Sequence, residues 1–137
     1  IVPMKLNNQR LPQKNTKPFT NGKPLWYYIL STLLKIDKID EVYVYCSNES
    51  IKDFIPSGVK YLKRSETLDQ NTTKMNEVLS AFAKDVPADI YVMTHTTDRL
   101  SKAIMTRLLR QKSYRTFYGK TASRLTMSLT IYLELKI

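Results

Sequence analysis

The sequence predicts an α/β domain with a mostly parallel sheet and helices on both faces. Segments with strand-like patterns alternate with segments of helical spacing, and strands joined by helical crossovers pair in parallel. The length of 137 residues suits one domain with a real core. The composition, 42% hydrophobic and 25% charged residues, is ordinary for a globular protein.

The first three elements follow from local patterns. Segment 1–4 is apolar and predicts the end of a strand. Segment 24–36 predicts a helix with Pro24 at its start, because proline suits the first turn. Its apolar residues recur at helical spacing, namely Leu25, Ile29, Leu33 and Ile36. Segment 41–47 is β-branched and aromatic and predicts a strand.

The next elements continue the alternation. Segment 49–55 predicts a short helix capped by Ser47 or Asn48, and alternating residues predict a strand over 58–64. Segment 72–86 predicts a helix with one apolar face, formed by Met75, Val78, Leu79 and Phe82. Segment 89–95 predicts another apolar strand. Ligands of such sheets bind beyond the carboxyl ends of the strands, where the loops after Met4 and Met93 begin.

Composition also limits location and partners. The apolar run 25–34 is too short to span a bilayer, and no secretory signal is visible at residues 1–4. Cys46 is the single cysteine, which excludes an internal disulfide and fits a reducing cytoplasm. We expect Cys46 to be a buried strand residue. The sequence thus predicts a cytoplasmic protein without a membrane partner.

The net charge of +10 is concentrated in the last part of the chain. Residues 1–98 hold 13 Lys or Arg against 11 Asp or Glu, whereas residues 99–137 hold nine against Glu134 alone. Aromatic residues among those cations leave open an RNA-binding or other interaction role, although no RNA-binding motif supports a nucleic-acid partner.

The loop that follows Met4 is rich in groups that bind anions. It offers three cations and three side-chain amides, namely Lys5, Arg10, Lys14, Asn7, Asn8 and Asn15. A nucleoside triphosphate needs donors along its phosphates and positive charge as pyrophosphate departs. A solvated loop is the alternative, and the residue types alone leave both open.

The stretch "RLPQKNTKPFTNGKPLWYYIL" closely resembles the N-terminal signature of the acylneuraminate cytidylyltransferases, which make CMP-sialic acid and related CMP-sugars. In that family, Ile-Pro-Ala-Arg ends a strand, Arg-Leu-Pro-Gly-Lys-Asn follows, and Gly-Lys-Pro-Leu heads a helix. Lys5 falls on the family's first arginine, and Lys14 with Asn15 falls on its Lys-Asn pair. Gly22–Leu25 falls on Gly-Lys-Pro-Leu. Asn15 favours this family over the related KDO enzymes, which have proline there.

Two later segments resemble the same family. "DEVYVYCSNESI" is similar to its second strand and turn, and "THTT" at 94–97 is similar to a loop in which His95 would contact the nucleotide or sugar. The resemblance covers residues 1–97. It implies a Rossmann-like nucleotidyltransferase fold, incomplete relative to the family, that joins CMP from CTP to a nonulosonic acid.

The resemblance also implies roles for individual residues. Lys5, Lys14 and Asn15 would be catalytic and would stabilise and position the phosphates. Nucleotide contacts are implied for Asn7, Asn8, Arg10, Thr73 and His95. The family further implies Mg²⁺ as a cofactor, with CTP and a nonulosonic acid as ligands.

The sequence departs from the family at several positions. The loop has no glycine where the family has Gly-Gly-Ser, and Gln13 replaces a glycine. Lys74 stands near the position where the family has a small hydroxyl residue that faces the base. After Thr97 the chain continues Asp98-Arg99-Leu100, and the family's metal-binding Asp-x-Asp pair has no counterpart.

Resemblance and charge change at the same place. We therefore predict a cytidylyltransferase-like half over 1–97 and a basic divergent segment over 98–137, which arose by truncation or a frame change. The alternating residues of 124–137 would complete the sheet or pair with a second copy in a homodimer. Three functions remain open: an active cytidylyltransferase, an inactive nucleotide-binding remnant, and a basic interaction module.

Overall fold

A computed structural model describes residues 1–6, 17–18, 21–88 and 91–96 of the chain. Its strands are β1 (Val2–Pro3), β2 (Val42–Cys46) and β3 (Val59–Lys63), and its α-helices are α1 (Leu25–Leu33) and α2 (Met75–Asp85). Two 3₁₀ helices, Glu49–Asp53 and Glu66–Asp69, flank β3 in sequence. Among the described residues, no helix is long and apolar enough to cross a membrane.

The three strands form one parallel sheet in the order β1-β2-β3. Val44 at the centre of β2 pairs with Val2 on one side and with Tyr61 on the other. The α1 connection and the first 3₁₀ helix carry the chain from one strand to its parallel neighbour. The predicted alternation and parallel pairing are therefore confirmed.

Side chains of β2 alternate between two apolar layers, because successive residues of a strand point to opposite faces. Val42, Val44 and Cys46 pack with the α1 layer, whereas Tyr43 and Tyr45 pack with the α2 layer. The α1 layer is the larger one, with a buried face formed by Leu25, Trp26, Ile29, Leu30 and Leu33. Full burial of each such side chain contributes about 1.5–3 kcal/mol. The predicted helices on both faces of the sheet are thus confirmed.

Aromatic contacts organise the α2 layer. The ring of Phe82 lies edge-on to Tyr45, with centroids 5.3 Å apart, and edge-on to Tyr43, with centroids 5.4 Å apart. Tyr91 contacts the same ring at 6.1 Å. Such pairs add about 0.5–1.5 kcal/mol beyond the area that they bury. Phe82 therefore fixes how α2 packs on β2.

Three details of the sequence prediction need correction. The segment after β2 is a 3₁₀ helix that ends at Asp53, and Asn48 caps it by accepting a hydrogen bond from Ser50 N (3.0 Å). Met75 was predicted on the buried face of α2 but is 37% exposed, and it is the first residue of the helix. The strand predicted over 58–64 covers only Val59–Lys63. Gly58 precedes it with φ +90°, a conformation that favours glycine.

The predicted strand 89–95 is only partly reproduced. No strand is assigned within residues 91–96, and residues 89 and 90 lie outside the described residues. Two bonds nevertheless join the segment to the chain before β1: Ile1 N donates to Val92 O (2.7 Å) and Thr94 N donates to Ile1 O (3.1 Å). This pattern is that of parallel neighbours, although it covers one residue pair and is too short for a strand assignment.

Candidate active site

Three polar residues lie in a row at the carboxyl edge of the sheet. In the parallel register, Lys5, Ser47 and Arg64 follow the ends of β1, β2 and β3 at equivalent positions. The ladder continues to Arg64, whose backbone N donates to Cys46 O (3.0 Å). Because parallel strands end on the same side, residues that are distant in sequence meet here. With Asp69 they form what we call the edge cluster: Lys5, Ser47, Arg64 and Asp69.

Arg64 is the buried cation of the edge cluster. Its side chain is 2% exposed, and its Nη2 donates to Met4 O (2.8 Å) and to Asp69 Oδ1. The guanidinium carbon lies 5.8 Å from the centre of the Tyr45 ring, within the range of a cation–π contact. The Nε atom has no hydrogen-bond partner within the described part of the chain. Since a buried charge requires a partner, Asp69 compensates Arg64 at this position.

Asp69 joins all three strand ends. Its Oδ1 accepts from Arg64 beyond β3, and its Oδ2 accepts from Ser47 Oγ beyond β2. Its backbone oxygen accepts from Lys5 Nζ beyond β1. The side chain is 30% exposed, so the carboxylate lies at the boundary between the core and solvent. A single aspartate thereby connects both cations of the cluster.

Lys5 was predicted from the sequence as a phosphate-binding cation. Its Nζ donates to the backbone oxygen of Asp69 and, at 3.5 Å, to that of Gln70. Lys5 is half-buried and lies in the row with Arg64, so the described edge carries two cations beside one carboxylate.

Thr73 lies in the connection between the second 3₁₀ helix and α2. Its N donates to Gln70 O (3.2 Å), and its hydroxyl donates to Thr67 O at 3.5 Å. The residue that precedes this turn, Asp69, accepts from Lys5. The predicted residues Lys5 and Thr73 are therefore held by the same short connection.

His95 lies on the opposite side of β1 from β2. The bonds of Ile1 with Val92 and Thr94 set the register, which, continued by two residues, places His95 level with Pro3. His95 is half-buried between two buried threonines, Thr94 and Thr96. This register places His95 near the carboxyl end of β1, which Lys5 of the edge cluster also follows.

Five further predicted site residues lie outside the described residues. They are Asn7, Asn8, Arg10, Lys14 and Asn15. Lys5 and Leu6 lead into this part of the chain from the carboxyl end of β1. Their predicted roles remain predictions.

Three members of the edge cluster were missed in the sequence. Ser47 and Arg64 are the last residues of the two segments predicted as strands, which was a usable signal because ligands bind where parallel strands end. No comparable signal existed for Asp69, since its approach to the strand ends depends on the turn made by residues 65–69.

The edge cluster does not fit a magnesium site. Mg²⁺ is bound by oxygen ligands, usually one or two carboxylates with waters and phosphates. Asp69 is the carboxylate of the cluster, and both of its oxygens already accept from Arg64 and Ser47. Across the described ranges, no group of three His, Cys, Asp or Glu side chains is arranged to hold a metal ion. The predicted magnesium requirement therefore remains untested by this geometry.

Cys46 is unsuited to nucleophilic chemistry. It is fully buried at the end of β2, as predicted, and burial raises the pKa of its thiol. The thiolate is the reactive form of cysteine, so a raised pKa keeps the side chain inert. Its carbonyl oxygen instead accepts from Tyr61 Oη (2.9 Å), which links β2 to β3.

Comparison with known families identifies the class of the protein. Residues 1–123 match the cytidylyltransferase family, and the chain belongs to that family. This match agrees with the resemblance found in the N-terminal segment, and the matched region extends beyond residue 97. A search of curated proteins found no match.

Comparison with solved structures supports the fold. One similar structure is CMP:2-keto-3-deoxy-manno-octonic acid synthetase complexed with CTP, with a TM-score of 0.66 and 20% sequence identity. The similarity covers 79% of this chain and 44% of that structure, so this chain spans less than half of its length. The chain thus has the Rossmann-like nucleotidyltransferase fold in part.

Proposed function

We propose that this chain is the nucleotide-binding part of a CTP-dependent cytidylyltransferase of the CMP-nonulosonic-acid type. The observation that carries the proposal is that Lys5 and Arg64, at the carboxyl ends of two strands of one parallel sheet, both donate to Asp69. This edge is where α/β sheets of this kind bind ligands, and two cations there favour an anionic ligand. Because the chain belongs to the cytidylyltransferase family, the proposed nucleotide is CTP.

The proposed reaction joins CMP to a sugar acid. The anomeric hydroxyl of the sugar attacks the α-phosphorus of CTP, the α–β phosphoanhydride bond breaks, and pyrophosphate leaves. Lys5 and Lys14 stabilise the negative charge on the phosphates, and Asn8 and Asn15 position them. Positioning and charge stabilisation are the main requirements of such a transfer. The lysines and asparagines of the loop after Met4 are residue types that meet both requirements.

The sugar acid is proposed from sequence resemblance. Asn15 after Lys14 favours an acylneuraminate-type acid, because the related KDO enzymes have proline at that position. The similar solved structure is a synthetase for 2-keto-3-deoxy-manno-octonic acid, but at 20% identity it carries no argument about the sugar. A cytoplasmic location and a homodimer belong to the same proposal.

A thermal-shift assay tests the nucleotide. In the presence of Mg²⁺, CTP is expected to raise the melting temperature of the chain, whereas ATP, GTP and UTP raise it less. Ligand at a hundredfold excess over its dissociation constant stabilises a protein by about 2.7 kcal/mol. Equal shifts with all four nucleotides would contradict cytidine specificity, and no shift with any would contradict nucleotide binding. Repeating the CTP arm with EDTA tests the predicted role of Mg²⁺.

Lys14 offers a sharper test of the loop. Lys14→Ala is expected to weaken CTP binding by about 1.5–3 kcal/mol, the value of a hydrogen bond to a charged group. Lys17→Ala is the matched control, because Lys17 is an exposed lysine that follows Lys14 closely in the sequence and has no assigned role. Calorimetry with CTP should separate the two variants, and equal affinities would reject the assignment of Lys14.

A second candidate function is nucleotide binding without turnover by this chain. It is favoured by one observation: residues 98–137 contain only Asp98 and Glu134 as acidic residues. Loss of metal ligands removes several kcal/mol of transition-state stabilisation, on the order of a thousandfold in rate. We expect little pyrophosphate release from CTP with N-acetylneuraminic acid and related acids. Turnover at about 1–100 per second would exclude this candidate.

A further inference from the structure

We propose that Asp69 is a positioning residue that holds Lys5 and Arg64 in place for the phosphates of the nucleotide. The inference rests on the proposed function, because it concerns how that site keeps its shape. Asp69 itself carries a negative charge and would repel an anion. Its contribution is instead the position that it gives to the two cations.

The contacts of Asp69 reach every strand end in the described sheet. The carboxylate accepts from Arg64 Nη2 and from Ser47 Oγ, and the backbone oxygen accepts from Lys5 Nζ. Arg64 and Lys5 both donate to this one residue. Moving Asp69 therefore moves the acceptors of both cations together.

Polar contacts, more than apolar burial, hold Asp69 in place. None of the four residues of its 3₁₀ helix is buried, and Leu68 is only partly buried against the α2 layer. Ser65 caps the helix by accepting from Thr67 N (3.4 Å). The position of this short segment consequently depends on the bonds that Asp69 makes with Arg64 and Ser47.

Asp69→Asn is the first variant. Asparagine has the same size and still offers one carbonyl oxygen, but it lacks the charge that buried Arg64 requires. We expect CTP to bind about tenfold more weakly, the equivalent of one hydrogen bond to a charged group. Glu66→Gln is the matched control, since it makes the same charge change on an exposed side chain of the same 3₁₀ helix. Its CTP affinity should equal that of the wild type.

A double-mutant cycle with Lys5→Met distinguishes positioning from general destabilisation. If Asp69 acts by placing Lys5, the double variant loses less CTP affinity than the product of the two single losses, because the second change removes an effect already lost. A purely structural role would make the two losses multiply. Multiplying losses, or an unchanged affinity in Asp69→Asn while the wild type binds CTP, overturns the positioning role alone.

Stability measurements keep the test decisive. Melting curves and circular dichroism of each variant show whether it is folded at the temperature of the titration. If Asp69→Asn is unfolded, the cycle is made with Asp69→Glu, which keeps the charge and displaces the carboxylate by one methylene. That variant is expected to fold and to bind CTP about threefold more weakly, a fraction of one hydrogen bond. Wild-type affinity in a folded Asp69→Glu would overturn the inference. A wild-type chain that binds no CTP would overturn the proposed function, and this inference with it.

Discussion

Two of the groups of ion pairs at the sheet share the same chemistry but differ in their surroundings. At the carboxyl edge, Asp69 pairs with Arg64, whose side chain is 2% exposed. On the surface beside β3, Glu49 pairs with Lys63 at 2.8 Å and with Lys52 at 3.1 Å, and all three side chains are about half exposed. Water can therefore replace the partner of each charge in the second group, whereas in the first group it cannot replace the partner of Arg64.

This difference in exposure determines what each pair contributes. An exposed pair gains little, because water screens the attraction and the side chains lose freedom. A buried pair makes no large net contribution either, but removing one partner leaves a desolvated charge. Within the buried pair, loss of Asp69 and loss of Arg64 should also differ in their cost to stability, since Arg64 is almost completely buried and Asp69 is 30% exposed.

The largest expected effect comes from removing Asp69. Asp69→Leu leaves the guanidinium of Arg64 buried and without a carboxylate, which is expected to lower the free energy of unfolding by about 3–5 kcal/mol. Arg64→Met is expected to lower it less, because the half-buried carboxylate of Asp69 can be hydrated. Urea unfolding followed by circular dichroism measures both.

The double variant Arg64→Met with Asp69→Leu is the control for this prediction. Replacing both charges with apolar side chains of similar volume is often neutral for stability. Recovery toward the wild-type free energy of unfolding in the double variant would show that the unpaired charge was responsible. A double variant as unstable as Asp69→Leu would instead point to lost packing at this edge.

Ser47 allows a smaller perturbation of the same cluster. Ser47→Ala removes the donor to Asp69 Oδ2 and leaves the Arg64 contact in place. We expect a loss of about 1 kcal/mol in the free energy of unfolding, typical of one hydrogen bond. Ser50→Ala is a suitable comparison, because Ser50 is exposed and its backbone N, which the change keeps, donates to Asn48. Equal losses of unfolding free energy in both variants would show that the hydrogen bond from Ser47 to Asp69 does not contribute to stability.

Most of the fold could be predicted from the sequence because its signals are local. The β-branched run before Ser47 and the helical spacing after Pro24 each depend on neighbouring residues, and both elements occur as predicted. The prediction that Met75 is buried was wrong, because periodicity assigns a residue to one face of a helix but does not show how much of that face is covered.

The candidate site was less predictable because it depends on contacts between distant residues. Lys5 was found through its place at a strand end and in a family motif. Asp69 meets Lys5 across 64 positions of sequence and Ser47 across 22, and no local pattern encodes such pairs. The ion pair with Arg64 spans five positions, yet it forms only because the intervening turn folds back over the end of β3.

Removing one charge of the exposed ion pairs should leave the stability of the protein almost unchanged. Glu49→Gln removes the charge that faces Lys52 and Lys63, and we expect the urea midpoint to stay within error of the wild type. Both lysines can be solvated, and the side chains regain freedom when the pair is lost. Glu77→Gln, at an exposed position of α2, provides a reference for the loss of one surface carboxylate. A midpoint clearly below that reference would show that this surface group behaves like the buried one.

The acid titration of Glu49 tests the same exposed group, in which water screens the attraction of the carboxylate to its lysines. Hydrogen bonds from Lys63 and Lys52 lower its pKa from 4.5 to about 2. Because the folded-state pKa lies below the unfolded value, the contribution to stability is present above pH 4.5 and is lost as the pH falls through about 2. Carboxyl NMR should show Glu49 titrating in that acidic range, with Lys63→Met moving the pKa back toward 4.5. Added salt should move the pKa in the same direction, because the pair is open to screening. A wild-type titration near 4.5 that is insensitive to salt would show that Glu49 has no persistent partner in solution.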